Sequence, residues 1–164
     1  MSLHLHGLGH FHPENEITNH FLEELDIGTT DQWILERTGI RSRRTALSLD
    51  YIRETRNRDL RAATEASAWS TAQMGARAAE MALERAGVAR EDVGLVLSGH
   101  THAGQIRVPR LPVLVRQSRY RLDEGRYRAG ATELVVSRGL GVVGLPCRLA
   151  CPPEAVLLRL KRAI

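Results

Sequence analysis

The chain has 164 residues, of which 43% are hydrophobic, and a formal net charge of +4 at pH 7. This length suits one ordinary domain or two very small ones. No stretch reaches the roughly 18 apolar residues that a membrane-spanning helix needs. The histidine-rich N-terminus has neither the basic nor the apolar region of a secretory signal, so we expect a cytoplasmic protein without a membrane span.

The charge differs between the two halves of the chain. Residues 1–97 carry 11 arginines and 15 acidic residues, a net of −4, whereas residues 98–164 carry 12 basic and 4 acidic residues, a net of +8. Five of the six prolines also lie after residue 98. Such asymmetry indicates two segments of different character. We predict an α/β protein in which an N-terminal α/β segment, 1–97, is followed by a mostly β segment, 98–164.

The first elements in chain order are a short strand and two helices. The stretch "SLHLHGLG" alternates, which predicts a strand ended by Gly7 and Gly9. In "TTDQWILERTG", Thr30 is a suitable N-cap and Gly39 follows the predicted helix end. Between this strand and this helix, "ENEITNHFLEELD" predicts another helix, because its apolar residues have helical spacing: Ile17, Phe21, Leu22 and Leu25.

The next part of the chain predicts a loop, a long helix and a strand. Residues 41–66 are charged and irregular, and within them we expect "RETRNRDLR", residues 53–61, to be a solvated loop. A helix rich in small residues is predicted from about Ala68 to Ala86, ending at Gly87. The apolar run "VGLVLS" then predicts a buried strand.

The second segment predicts short strands and no helix. The strand candidates are "QIRVP", "PVLVRQ", "GRYRAG", "TELVVS" and "AVLLRL", separated by turn residues. Two cysteines, Cys147 and Cys151, lie in "LPCRLACPP". Because their spacing is not CxxC and no second pair exists, we predict buried reduced thiols rather than a zinc site.

Three stretches between residues 3 and 97 carry a resemblance to one known family: "HGLGHFHPENEITNHFLEEL", "IGTTDQWILERTGIRSRR" and "GARAAEMALERAGVAREDVGLV". They resemble the N-terminal part of ketoacyl-ACP synthase III, an enzyme of fatty acid biosynthesis with the thiolase fold. In that family this region forms part of the coenzyme A site. The resemblance implies that Thr29, Trp33 and Arg37 contact coenzyme A. An indole stacks on adenine and a guanidinium pairs with phosphate, which suits these residue types. A helix anchor at Trp33 and a solvated charge at Arg37 are the alternatives.

The synthase resemblance does not extend to a catalytic centre. The family's condensation reaction needs a cysteine nucleophile together with a histidine and an asparagine. Cys147 and Cys151 lie among proline and arginine, and no histidine follows His102. We therefore expect no ketosynthase activity and name no catalytic residue.

A second pattern begins where the apolar run "LVLS" leads into "GHTHAGQ", and it continues through "ELVVSRGLG" and "CPPEAVLLRL". Residues 95–160 resemble the C-terminal end of a calcineurin-like metallophosphoesterase. In that family the GHxH motif provides one histidine to each ion of a two-metal centre. The resemblance implies that His100 and His102 are metal ligands, for Mn, Fe or Zn. Such a centre activates a bridging water for attack on phosphorus.

The remaining ligands of such a centre are not found in this sequence. The family uses an upstream DxH, a further aspartate, a GNH segment and another histidine. None of the six aspartates has a histidine two residues later, and no GNH occurs. Four N-terminal histidines could bind zinc or nickel adventitiously, but no carboxylate there is placed to bridge two ions. These histidines are His4, His6, His10 and His12.

These observations predict a hybrid of two incomplete enzyme fragments without efficient catalysis. It retains a GHTH metal-ligand motif and part of a coenzyme A contact region. The alternatives are a metal-dependent phosphoesterase (a hydrolase), a synthase-family member lacking its nucleophile, and a basic non-enzymatic module that binds polyanions. Expected partners are a small-molecule phosphoester or an acyl-CoA, with no specific nucleic acid. Unpaired strand edges and uncovered apolar faces predict self-association.

Overall fold

The computed structural model describes residues 4–108 and 120–160 of the chain. Helices and strands are mixed, which confirms the α/β class. The chain divides into two compact units, Met1–Val88 and Ala89–Ile164. The second unit thus begins before the strand that follows the long helix. Among the described residues, no helix is both long and apolar enough to span a membrane.

The first unit begins with a strand and a short helix where one helix was predicted. Strand β1 (Asn15–Thr18) pairs antiparallel with β2 (Ser42–Thr45), and helix α1 (Asn19–Glu24) follows β1 directly. The Thr18 hydroxyl accepts a hydrogen bond from the amide of Phe21, so Thr18 is the N-cap. The predicted helix was therefore wrong in its first half, because pairing with β2 keeps the residues before Thr18 extended.

Residues 41–66, expected to be irregular, are largely regular structure. They contain β2, helix α3 (Leu49–Thr55) and helix α4 (Leu60–Ala66). Each helix begins after a capping side chain, Ser48 for α3 and Asp59 for α4. The loop predicted over residues 53–61 is confined to 56–59, so the prediction was wrong at both ends, where the capped helices α3 and α4 extend into it.

The core of the first unit is formed by α1 and α3. Phe21, Leu25 and Ile52 are buried against one another, and Ile17 of β1 packs on them. Leu22 packs there as well, so the core contains all four apolar residues that helical spacing had grouped together. The spacing identified the core correctly although Ile17 reaches it from a strand.

The helix predicted in "TTDQWILERTG" is present as α2 (Asp31–Thr38). The Thr30 hydroxyl accepts from the amide of Trp33, and Gly39 ends the helix with a left-handed φ of 68°. Both predicted termini are confirmed. Local capping chemistry is sufficient to define this helix.

The long helix α5 (Thr71–Ala86) is also present and ends at Gly87 as predicted. It begins a few residues later than predicted, because Ser70 and Gln73 form a reciprocal capping box at its start.

The N-terminal segment lies along α5 and forms no strand over residues 4–9. A β-carbon on Gly7 would collide with the carbonyl oxygen of Ala82, and one on Gly9 with that of Ala78. The predicted strand was wrong for these residues: the two glycines permit close packing of the backbone on α5 instead.

The second unit contains a three-stranded sheet in the order β3-β5-β4. Its strands are β3 (Leu95–Ser98), β4 (Gly125–Ala129) and β5 (Thr132–Val136). Strand β3 is parallel to β5, and β4 is antiparallel to it. Strands are confirmed in "VGLVLS", "GRYRAG" and "TELVVS". However, Val96 and Leu97 are 41% and 60% exposed, so β3 is not the buried strand expected. It lies at an edge of the sheet formed by the described residues.

The remaining strand candidates of the second unit are not strands where the structure describes them, and the two cysteines differ in burial. "QIRVP" forms only an isolated bridge between Ile106 and Leu149, and residues 155–160 form no strand. β-Propensity alone does not supply a pairing partner. "PVLVRQ" lies outside the described residues. Both cysteines are free; Cys151 is buried as predicted, but Cys147 is exposed, since its proline-flanked turn lies at the surface.

Candidate functional sites

Residues 100–105 follow β3 and form a loop, here called the histidine loop. Its backbone adopts left-handed conformations at several residues that are not glycine. Such conformations cost free energy and persist only where surrounding contacts enforce them. The positive φ angles are 74° at His100, 48° at His102, 50° at Ala103 and 52° at Gln105.

Gln105 fixes the end of the histidine loop. Its side chain is buried, and its Nε2 donates to the carbonyl oxygens of Val143 at 3.0 Å and Leu145 at 2.9 Å. Its Oε1 accepts from the Val143 amide at 2.7 Å. One amide group therefore binds three backbone groups nearly 40 residues away in sequence, which offsets part of the conformational cost.

Arg148 lies beside the middle of the histidine loop and binds the segment 138–141. Its Nη2 donates to the carbonyl oxygens of Arg138, Gly139 and Gly141 at 2.9, 3.1 and 2.6 Å. The same Nη2 lies 3.3 Å from His102 Nδ1, and that Nδ1 lies 3.2 Å from the Gly141 carbonyl oxygen. When Nδ1–H donates to this carbonyl, Nε2 keeps a lone pair that can ligate a metal. The adjacent guanidinium charge opposes a second cation here.

Two further side chains restrain the loop. The Thr101 hydroxyl donates to the carbonyl oxygen of Asp123, and the Cys151 thiol donates to the carbonyl oxygen of His102 at 3.2 Å. The burial of Cys151 is thus explained by packing under the histidine loop. Sequence reasoning identified the two histidines. It missed Gln105, which anchors the end of the histidine loop, and Arg148, which lies beside His102.

The two predicted metal ligands lie at the surface of the second unit. His100 is exposed and His102 is half-buried. Within residues 4–108 and 120–160, no group of three or more His, Cys, Asp or Glu side chains is arranged to hold a metal ion. The structure thus places the two histidines on one loop without assembling further ligands from the part of the chain that it describes. Their role as metal ligands stays a prediction.

A chain of ion pairs lies in the same unit. Glu124 contacts Arg107 and lies 3.5 Å from Arg138 Nε, and Arg138 Nη2 lies 3.2 Å from Glu154 Oε1. Hydrogen bonds from the Arg138 amide and then from its guanidinium lower the pKa of Glu154. The hydrogen bond with Glu124 raises the pKa of Arg107. This network joins the strand ends to the C-terminal segment.

The predicted coenzyme A contacts lie on or just before α2. Trp33 is 47% exposed, and the Arg37 guanidinium carbon lies 4.4 Å from the centroid of its ring. Their spacing of four residues places them on one helix face. Ile34 is the buried anchor of α2, so Trp33 does not have that role. Thr29 lies outside the helix, and its buried Oγ1 has no hydrogen-bond partner in the described part of the chain.

Comparison with known proteins shows that the chain is similar to two different families over different shares of its length. No family model matches it. Part of the chain is similar to ketoacyl-ACP synthase III enzymes and part to a metallophosphoesterase, so the sequence is a hybrid of the two similarities.

The individual relatives give the extent of each similarity. An uncharacterized metallophosphoesterase of Bacillus subtilis, YkuE, is 43% identical over 70 residues, covering 42% of this chain and 24% of the relative. The ketoacyl-ACP synthase III of Serratia proteamaculans is 42% identical over 95 residues, or 58% of this chain and 24% of the relative. That of Sulfurovum is 36% identical over 91 residues, or 56% and 21%. The chain spans less than a quarter of the length of each.

A solved structure also matches. The 3-oxoacyl-[acyl-carrier-protein] synthase III of Aquifex aeolicus has a TM-score of 0.44 and 27% identity, covering 58% of this chain and 24% of that protein.

Proposed function

We propose that this chain is a hybrid of two enzyme fragments, with its border near residues 97 and 98, that retains contact elements of both and catalyses neither reaction efficiently. One observation carries the proposal. The buried Gln105 side chain anchors the end of the histidine loop, yet no third ligand of the described residues joins His100 and His102. The loop keeps a shape suited to presenting two imidazoles, and these hold a metal only weakly.

Phosphoester hydrolysis on two metals requires both ions about 3.5–4 Å apart and joined by bridging ligands. An imidazole binds one ion and does not bridge. The guanidinium of Arg148, 3.3 Å from His102 Nδ1, adds positive charge where a second cation would need negative charge. We therefore expect substoichiometric binding of Mn²⁺ or Zn²⁺ by His100 and His102, and phosphodiesterase activity near background.

Elemental analysis after dialysis against Mn²⁺ or Zn²⁺ tests this proposal, with hydrolysis of bis(p-nitrophenyl) phosphate measured on the same samples. The matched control is the double variant His100→Ala/His102→Ala, which we expect to lower Mn²⁺ retention further. Two firmly bound metals per chain, with turnover that the double variant abolishes, would contradict the proposal.

A metal-dependent phosphoesterase is the second candidate function. It is favoured by the 3.2 Å contact between His102 Nδ1 and the Gly141 carbonyl oxygen, because this type of contact orients histidine ligands in metal sites. The two candidates differ in one result. Only the second predicts a hydrolysis rate that rises with metal concentration and is lost in the His102→Ala variant.

We further propose that Trp33 and Arg37 form a contact site for coenzyme A. The exposed indole offers a face for adenine, and the guanidinium beside it can pair with phosphate. We expect Trp33 fluorescence to change on titration with coenzyme A up to millimolar concentration, and Trp33→Ala to abolish that change. Trp69, the other tryptophan, provides the control, since the Trp69→Phe variant should keep the response. No saturable change in the wild type would exclude this contact site.

A further inference from the structure

The N-terminal segment presents a second pair of histidines, unconnected with the histidine loop. His10 and His12, here called the N-terminal histidine pair, are both exposed. Their ring centroids lie 5.4 Å apart with an interplanar angle of 31°. The two imidazoles are thus neighbours at the surface of the first unit.

The residue between them anchors the segment to the protein. The Phe11 ring packs edge-on against Trp69, with centroids 4.7 Å apart. In addition, Gly9 lies so close to the backbone of Ala78 in α5 that a β-carbon would not fit there. Phe11 is half-buried, whereas His10 and His12 on either side of it are exposed. Anchoring Phe11 inward therefore leaves His10 and His12 facing outward together.

This spacing fits two imidazoles on one ion. With metal–nitrogen bonds of about 2.0–2.1 Å, two imidazoles bound to one ion have ring centroids roughly 4.5–6 Å apart. The observed separation of 5.4 Å lies within this range. No third His, Cys, Asp or Glu in the described part of the chain completes a larger cluster, so the remaining coordination positions are open to water.

The other nearby pair is less suitable. The rings of His4 and His6 are 6.3 Å apart and arranged edge to face. His6 also lines an open cavity together with the cationic Arg85. A fixed positive charge beside an imidazole disfavours binding of a second cation. The two pairs have the same HxH spacing, so their surroundings distinguish them.

We propose that His10 and His12 form a chelating surface site for one borderline transition metal ion, Ni²⁺, Cu²⁺ or Zn²⁺. Imidazole nitrogens prefer these ions, whereas Mn²⁺ and Mg²⁺ prefer oxygen ligands. Because Phe11 is already packed, little chain entropy is lost when both rings bind the same ion. The site is independent of the function proposed for the histidine loop.

Calorimetric titration of the 164-residue chain with Ni²⁺, in a form without a histidine tag, tests the proposal. We expect binding of one Ni²⁺ per chain and an affinity about tenfold or more lower in the single variants His10→Ala and His12→Ala, because either change removes the chelate. The double variants His4→Ala/His6→Ala and His100→Ala/His102→Ala are matched controls that should keep the site. All of these residues are half-buried or exposed, so the variants should fold.

A second measurement locates the ion directly. In nuclear magnetic resonance spectra of chain labelled with ¹⁵N at histidine, substoichiometric Ni²⁺ should broaden the His10 and His12 side-chain signals before the other histidines. Mn²⁺ should not do so at the same concentration. Unchanged Ni²⁺ affinity in both single variants, or loss of the site in either control, would overturn the proposal.

Discussion

The two candidate sites differ in how they are held. On α2, Trp33 and Arg37 are four residues apart, and one regular helix turn brings the guanidinium to 4.4 Å from the ring. In the histidine loop, four residues other than glycine have left-handed backbone angles. That loop depends on Gln105, whose hydrogen-bond partners Val143 and Leu145 lie far from it in sequence. Arg148, which is also distant in sequence, lies beside His102.

This difference shows that two short sequence motifs can need different contacts to form. The motif on α2 needs only its own helix, whereas the histidine motif needs contacts with residues distant in sequence. A helical pair survives wherever its helix forms. A loop with strained backbone keeps its shape only while distant contacts enforce it.

The largest effect is expected from Gln105→Ala. The variant leaves the Val143 amide and two carbonyl oxygens without their partner, which should lower the free energy of unfolding of the second unit by about 2–3 kcal/mol. Hydrogen exchange of the Val143 amide, together with urea unfolding, measures this. The matched control is Gln32→Ala on α2, an exposed glutamine bonded to Glu36, with an expected change below about 0.5 kcal/mol. Equal losses in the two variants would contradict the contrast between the sites.

A smaller effect is expected on pH dependence. The pKa of Glu154 is lowered below its usual value of about 4.5, first by the Arg138 amide and then by the guanidinium. A lowered pKa stabilises the folded state above the unfolded pKa, and this contribution is lost as pH falls through the folded value. Glu154→Gln should therefore flatten the decline in stability of the second unit below about pH 4.5, measured by acid titration with circular dichroism.

The control for this titration is Glu65→Gln, which removes an exposed ion pair with Arg61 on α4. It should leave the acid profile of the second unit unchanged. If Glu154→Gln and the wild type lose structure with the same pH dependence, the Arg138–Glu154 contact does not stabilise the second unit.

The smallest effect is expected from Arg37→Ala. Loss of the exposed stacking contact with Trp33 should cost about 0.5–1 kcal/mol and shift the fluorescence of Trp33. Arg37→Lys keeps the charge but not the planar stacking, so it should recover only part of the shift. A loss as large as that of Gln105→Ala would mean that the helical pair also depends on distant contacts.

Where structure follows from neighbouring residues, the sequence was a sufficient guide. Thr30 and Gly39 delimit α2, and Gly87 ends α5, because capping is satisfied within a few residues. The resemblance to two families was visible in short motifs and agrees with the similarities found. The same local reasoning failed at β1, where pairing with β2 keeps residues 15–18 extended.

The sequence by itself determined the α/β class, the capped helices α2 and α5, the hybrid character and the two histidines of the GHTH motif. Only the tertiary structure decided that residues 42–45 form β2 by pairing with β1, that β3 is exposed, and that Gln105 anchors the histidine loop. The physical reason is range. Helix caps and i,i+4 pairs act within one or two turns, whereas strand pairing and the buried contacts of Gln105 join residues whose separation leaves no periodic trace in the sequence.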